Sequence, residues 1–275
     1  MVQKRNPDIQ KFYEKSQIYD RIFDGLAEMG KDPDEVTIED LAAVDEFHIR
    51  GRESTDELLN LLNFNSGDRV LDVGCGLGGA CRYIASNYDV EVTGIDITRE
   101  YCRLARRLTE DSRLNGNVRF KHADALELPF DDEYFDSVLT LHTQMNIADK
   151  ERFYREIFRV LKPAGKLAFY DIFADGQPVI LPTPWANDQS LNHLISHREV
   201  FTLLNEIGFE IEHWQDDTAR GFQWFRSKIE KAKQEGLPPL GLHLLIGDNA
   251  PDTMKNVARN LDENRIALIQ AALTR

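Results

Sequence analysis

The sequence predicts an α/β fold, a doubly wound parallel sheet with helices on both faces, and three observations predict it. Strand-like and helix-like stretches alternate from about residue 65 to 172. A glycine-rich turn, Gly74-Cys-Gly-Leu-Gly-Gly79, joins the apolar run of Val70, Leu71 and Val73 to a helical pattern. Asp96 closes the second apolar run, where such a sheet presents its strand ends. Right-handed crossovers bring the carboxyl ends of these strands to one rim.

Residues 1–64 read as helical. Pro7 and Asp8 suit a helix start, and Ile9, Phe12, Ile18, Tyr19, Ile22 and Phe23 recur at helical spacing. Gly30 to Pro33 breaks the run, and a second short helix is expected from Thr37. Ser54-Thr-Asp-Glu57 has a capping-box pattern ahead of Leu58, Leu59, Leu61 and Leu62. Strands are expected at about 68–73, 90–97, 118–123, 135–142 and 166–173, with helices at 79–87, 98–113 and 148–161. Beyond them comes an insertion at about 174–196, with three prolines between Gln177 and Trp185. A helix over 197–207 ends at Gly208, the usual glycine position past a helix. Strand 209–214, helices 222–235 and 250–264 and a last strand 266–273 complete the chain. The organisation is an N-terminal helical lid, 1–64, on one domain, 65–275. Tyr13 and Tyr19 face either the bound cofactor or the lid's own core.

The 275 residues carry a net charge of −14. That balance excludes the basic footprint a phosphate backbone requires, and disfavours docking on anionic membranes. No nucleic-acid or membrane partner is expected, and a small-molecule acceptor suits the chain better. Cys75, Cys81 and Cys102 form no zinc-ligand pair, so no metal is expected. Reduced thiols and an N-terminus without an apolar leader run point to the cytoplasm.

Gly74-x-Gly76-x-x-Gly79 alone fits a dehydrogenase as well as a transferase using S-adenosylmethionine. Asp96, 22 residues past Gly74, can accept from both hydroxyls of an adenosine ribose, or start the helix before Thr98. Asp124, in Ala-Asp-Ala after the third strand, can accept from an adenine amino group. Asp72 adds a carboxylate beneath the glycine turn. Carboxylates suit a cationic sulfonium, whereas a pyrophosphate calls for helix dipoles.

With these residues the chain resembles the class I S-adenosylmethionine-dependent methyltransferases. The motifs are Val-Leu-Asp-Val-Gly74-Cys-Gly-Leu-Gly-Gly, Gly-Ile-Asp96, Ala-Asp124-Ala, Leu-Pro-Phe130, Phe-Asp136 and Leu-Lys-Pro-x-Gly165, with Ala164 where the family often has glycine. The resemblance implies a Rossmann-like sheet of seven strands whose last is antiparallel. It implies cofactor contacts from Gly74, Gly76, Asp96, Asp124 and Ala125, to which Asp72, Cys75, Ile97 and Leu141 are added. A narrower resemblance, to sarcosine/dimethylglycine N-methyltransferase-like members, rests on four segments. They are His48-Ile-Arg-Gly-Arg-Glu-Ser-Thr55, Met145-Asn-Ile-Ala-Asp-Lys150, Pro184-Trp-Ala186 and Asn260-Leu-Asp-Glu-Asn-Arg-Ile266.

The acceptor is expected over the fourth strand's rim. His142 is the candidate for orienting the acceptor or taking its proton, with a structural hydrogen bond as its other use. Gln144 and Asn146 can bind a carboxylate or hydroxyl; capping a helix is Asn146's alternative. Trp185 and Phe173 either wall the pocket or pack the core. Arg52 pairs with an acceptor carboxylate or with a surface acid. The apolar segment Leu237 to Ile246 closes the pocket or forms a homodimer face. The reading is methyl transfer to a small acceptor, an amine nitrogen of the sarcosine or dimethylglycine kind. Carbon or oxygen methylation of a quinone-like or natural-product ring is the alternative. A non-catalytic S-adenosylmethionine-binding protein is the reading from another class.

Overall fold

A computed structural model describes residues 17–114 and 116–275. Seven strands form one sheet in the order β3-β2-β1-β4-β5-β7-β6. They are β1 (Arg69–Val73), β2 (Glu91–Asp96), β3 (Val118–His122), β4 (Phe135–Leu141), β5 (Leu161–Ala174), β6 (Glu210–Asp216) and β7 (Ile266–Thr274). β7 runs antiparallel between β5 and β6, with Asp171 opposite Ile269, and the other pairs are parallel. The order reverses between β1 and β4, which is the switch point where such sheets take ligands.

The central strands are buried on both faces, as parallel strands must be. Val70 and Leu139 face one core with the cysteines and Trp185, whereas Leu71 and Val138 face the other with Phe153 and Ile157. A third apolar cluster lies outside the sheet. It joins α1 (Ile18–Glu28) through Ile22 and Leu26, and α2 (Ile38–Asp45) through Leu41 and Val44. These pack on Leu104 and Leu108 of α5 (Arg99–Asp111) and on Leu240 and Leu245. The remaining helices are α3 (Arg52–Leu59), α4 (Gly79–Asn87), α6 (Lys150–Val160), α7 (His197–Ile207), α8 (Thr218–Glu235), α9 (His243–Ile246) and α10 (Ala250–Asp262).

The helix start expected at Thr37 carries a complete capping box with Asp40. The box expected at Ser54 does not form. α3 begins three residues earlier after Gly51, and the Ser54 hydroxyl donates back to the Ile49 and Gly51 carbonyls. Ala164 holds φ at 62°, the left-handed conformation that explains the usual glycine there. The expected helix start at Pro7 and the residue Tyr13 lie outside the described residues. Tyr19 faces away from the sheet's rim: its hydroxyl donates to Asp111 at 3.0 Å and its ring lies under Arg107. Among the described residues no helix is long and apolar enough to cross a membrane.

Two buried ion pairs pin the loop that leaves α2. At its start, Asp45 meets Arg82 of α4 at 2.5 Å, both side chains fully buried. Near its end, Arg50 meets Asp217 at 2.5 Å and reaches Glu53 and Glu57 at 2.8 Å. Residues 46–49 are held between these anchors.

Candidate functional site

A cavity of about 820 Å³ opens at the switch point. Asp72, Gly74, Cys75, Gly76, Asp96, Ile97, Asp124, Ala125 and Leu141 all line it, as does His142. The sequence reading thus names ten residues that the fold brings to one cavity.

The glycines of the turn have different tasks. A Cβ at Gly74, Gly78 or Gly79 would lie within 2.6 Å of Thr143, Phe120 or Asp45, so these three admit neighbouring side chains. A Cβ on Gly76 would meet nothing within 4 Å, and its φ is +52°. Gly76 therefore leaves cavity space open to a ligand. Four of the turn's amides are already used. Gly74 and Cys75 donate to the Ile95 carbonyl, Gly78 donates to Cys75, and Gly76 donates to Asp96 at 3.0 Å. A pyrophosphate would need those donors free.

The charge of the wall points the same way. Asp45, Asp72, Asp96, Asp124, Asp149 and Glu127 line the cavity, and among the described residues Arg152 is the one Lys or Arg that does. This field favours a cation. Burial pushes the Asp72 carboxyl up to about 7, while the Cys81 thiol donating at 3.2 Å opposes the rise. Burial also pushes Asp96 up to about 6, against the stabilising N–H groups of Thr98 and Gly76. These residues fit a cationic adenosine cofactor, with Asp96 at the end of β2 and Asp72 beneath the turn.

Asp96→Ala is expected to weaken binding of S-adenosylhomocysteine by about 1–3 kcal/mol, the worth of hydrogen bonds to a charged acceptor. Titration calorimetry reads it, and unchanged affinity would remove Asp96 from the ribose. A pH effect follows from the raised carboxyls. A bound cation favours their ionised forms, so binding releases protons and affinity rises with pH up to the raised values. From about pH 8 to about pH 6, S-adenosylmethionine is expected to lose roughly tenfold in affinity, as a carboxyl near 7 becomes mostly protonated. The neutral thioether of S-adenosylhomocysteine should lose less, and equal losses would show that the sulfonium does not feel Asp72.

The acceptor side departs from the sequence reading. Gln144 does not line the cavity; it is fully buried, and its Nε2 donates to the Ile172 carbonyl. Asp171 accepts from the amides of Thr143 and Gln144 at 3.1 Å and so shapes the exit from β4. Asn146 lines the cavity, but its Nδ2 tethers the insertion through the carbonyls of Trp185 and Leu191. Arg52 is outside the cavity: its Nε lies 2.5 Å from Glu46 and its guanidinium stacks on Tyr83 at 3.6 Å. Backbone carbonyls and a nearer acid claim these groups before a ligand can. Phe173 is buried in the core under α7, not in the pocket wall. Trp185 does line the cavity, with Nε1 donating to Asn192 at 3.0 Å.

Every lining residue beyond Arg152 is apolar, including Ile172, Trp185, Trp224, Phe225, Leu245 and Met254. Leu242, Leu245 and Ile246, from the apolar segment noted in the sequence, line the pocket. Trp224, Phe225 and Met254 went unseen, since a helix face lining a cavity has the same pattern as one buried in a core. His48 was visible only inside a motif. It lines the cavity beside His142, with ring centroids 5.9 Å apart.

A family model described as "Methyltransferase domain" matches residues 71–169. The 27-O-demethylrifamycin SV methyltransferase of Amycolatopsis mediterranei is 33% identical over 189 residues, which is 66% of this chain and 68% of that protein. The chain spans about half the length of the curated relatives it matches first. Phosphoethanolamine N-methyltransferase 2 of Haemonchus contortus, solved with phosphomonomethylethanolamine and S-adenosylhomocysteine, aligns with a TM-score of 0.75 and 19% identity, over 97% of this chain and 60% of that one. Geranyl diphosphate C-methyltransferase of Streptomyces coelicolor A3(2) aligns with a TM-score of 0.73 and 16% identity, over 100% and 98%. At these identities the two structures establish a shared fold.

Proposed function

The chain belongs to the S-adenosylmethionine-dependent methyltransferases, and on that premise we propose that it methylates a small acceptor with a largely apolar body and a reactive hydroxyl or amine. The observation that carries this reading is the wholly apolar contribution of residues 172–257 to the cavity wall. A ring or polyketide-like skeleton gains by leaving water there. The carboxylate of sarcosine or dimethylglycine would find no cation among the apolar residues 172–257: Arg52 is held by Glu46, and Arg152, the one Lys or Arg lining the cavity among the described residues, lies on the acidic side, 4.0 Å from Glu127. The ring alternative therefore replaces the small amino acid as the preferred acceptor.

When bound, the cofactor supplies an activated methyl group on a cationic sulfur. The chain's part is to hold, orient and exclude. Asp96 grips the ribose, Asp124 faces the adenine, and Gly76 leaves the space they need. The N-terminal helices and the 174–196 insertion act as a lid. Trp185, Trp224 and Leu245 keep water from the acceptor, so positioning supplies most of the rate.

Incubation with methyl-labelled S-adenosylmethionine and a panel of glycine, sarcosine, dimethylglycine and hydroxylated aromatics tests the reading. Label should pass to the aromatics. Turnover confined to the amino acids would return the amine assignment, and cofactor binding with no turnover on any compound would favour a silent binding protein.

A further inference from the structure

We propose that His48 is the proton acceptor of the reaction and that His142 donates a hydrogen bond to the same acceptor hydroxyl. This rests on the methyltransferase reading and deepens it, naming a hydroxyl as the group methylated. The two rings share the cavity wall at 71° to one another, and their hydrogen-bond surroundings differ in kind.

His48 Nε2 is ringed by oxygens. The Gly51 carbonyl and the Thr55 hydroxyl each lie 3.1 Å away, and the Glu46 carboxylate is at 3.4 Å. The Thr55 hydroxyl spends its own hydrogen on Glu46 at 2.7 Å, so it too can only accept from the ring. All three demand that Nε2 carry the hydrogen. That leaves a lone pair on Nδ1, which has no partner among the described residues. Glu46 is itself fixed by Arg52, and the loop is fixed by the Asp45–Arg82 and Arg50–Asp217 pairs. A carboxylate behind an imidazole orients it and steadies the cation it becomes.

His142 is the converse. It stacks on Tyr170 at 5.3 Å, and its Nε2 is buried without a partner. A buried orphan N–H is rarer and costlier than a buried lone pair. The hydrogen therefore belongs on Nδ1, as a donor. The charged and titratable groups around the two rings are Glu46, Arg50, Arg52 and Tyr170. Burial lowers the His48 pKa, with Glu46 opposing, and burial with His48 lowers that of His142 further, so both rings stay neutral near pH 7.

The step balances. The acceptor O–H bond breaks and its proton goes to His48 Nδ1. The oxygen's electron pair forms the bond to the methyl carbon. The carbon–sulfur pair stays with sulfur, which leaves as a neutral thioether, and solvent later takes the proton from His48. One positive charge moves from sulfur to the imidazole backed by Glu46, and none is created in the apolar chamber. A weakly basic neutral ring suits an acidic hydroxyl of the phenol type.

The test uses the 275-residue enzyme loaded with S-adenosylhomocysteine and labelled with ¹⁵N-histidine, ¹⁵N-tryptophan and ¹³C-methyl-methionine, with 2-naphthol as the probe. The tautomers should be opposite, Nε2–H at His48 and Nδ1–H at His142. Adding 2-naphthol should shift the His48 Nδ1 resonance. An Nδ1–H tautomer at His48 overturns the proposal whatever binds. So does an unmoved Nδ1 resonance while 2-naphthol perturbs Met145 and Trp224. If 2-naphthol fails to enter the chamber, the acceptor class falls and the tautomers alone decide the histidines. Where 2-naphthol is methylated, His48→Gln should lower kcat by about a hundredfold with cofactor affinity kept within about threefold. Glu46→Gln, a positioning change, should lower kcat by about tenfold and leave KM unchanged. A His48→Gln enzyme with wild-type kcat overturns the base.

Discussion

Gly76→Val is expected to abolish measurable binding of S-adenosylhomocysteine. Two effects combine in that variant. The side chain would project where a Cβ now meets nothing within 4 Å, into the space reserved for the ligand. It would also take up a φ of +52°, at a cost of about 1–2 kcal/mol in the left-handed region. Gly67→Val separates them. Gly67 holds φ at +81°, also with open space around a Cβ, but it lies outside the cavity wall. Both variants should melt a few degrees below wild type, and only Gly76→Val should lose the ligand in calorimetry. Normal binding by Gly76→Val would mean that the turn does not touch the cofactor.

Arg82→Met is expected to cost about 3–5 kcal/mol of stability, because it strands the Asp45 carboxylate in a fully buried place. Arg82 binds Asp45, the Thr109 hydroxyl at 3.1 Å and the Ala105 carbonyl at 3.3 Å, so one guanidinium ties α2, α4 and α5 together. The melting temperature should fall by roughly 10 °C for a chain of this size. Burial already raises the Asp45 pKa, with Arg82 resisting, and removing Arg82 lets it rise further. A raised native pKa gives stability that is lost as pH increases through it. The penalty should therefore grow with pH, measured by denaturant titration at about pH 5.5 and about pH 8. Asp45→Leu combined with Arg82→Met should recover most of the loss, since an apolar pair can replace a buried ionic one. A penalty that is small and flat with pH would mean that Asp45 reaches water.

The sheet and its rim were legible because both are written locally. Alternating runs mark the strands, the glycine turn marks the first crossover, and Asp72, Asp96 and Asp124 each fall at or near a strand end. The helix His197–Ile207 with Gly208 past its end was legible for the same reason, down to its boundaries. What failed depended on partners that no local pattern announces. Nothing near Arg52 says that Glu46 and Tyr83 claim it, and nothing near Gln144 says that the Ile172 carbonyl does. Ser54 illustrates the same point at short range. Its pattern fits a cap, but the helix starts after Gly51 and the Ser54 hydroxyl donates to the Ile49 and Gly51 carbonyls. His48 was hidden because its role depends on three oxygens assembled by the fold, from Glu46, Gly51 and Thr55.

The cavity wall is divided along the chain: its acidic residues fall between Asp45 and Asp149, and the lining residues from Ile172 to Val257 are all apolar. On the proposed reading, the donor's contacts and the two histidines lie in the earlier portion of the gene, and the surface that meets the recipient's apolar body lies in the later one. Chimaeras that exchange only the later portion between homologues should change which molecules are modified while the donor is used as before. Such a layout lets one inherited engine acquire new customers by drift in its canopy.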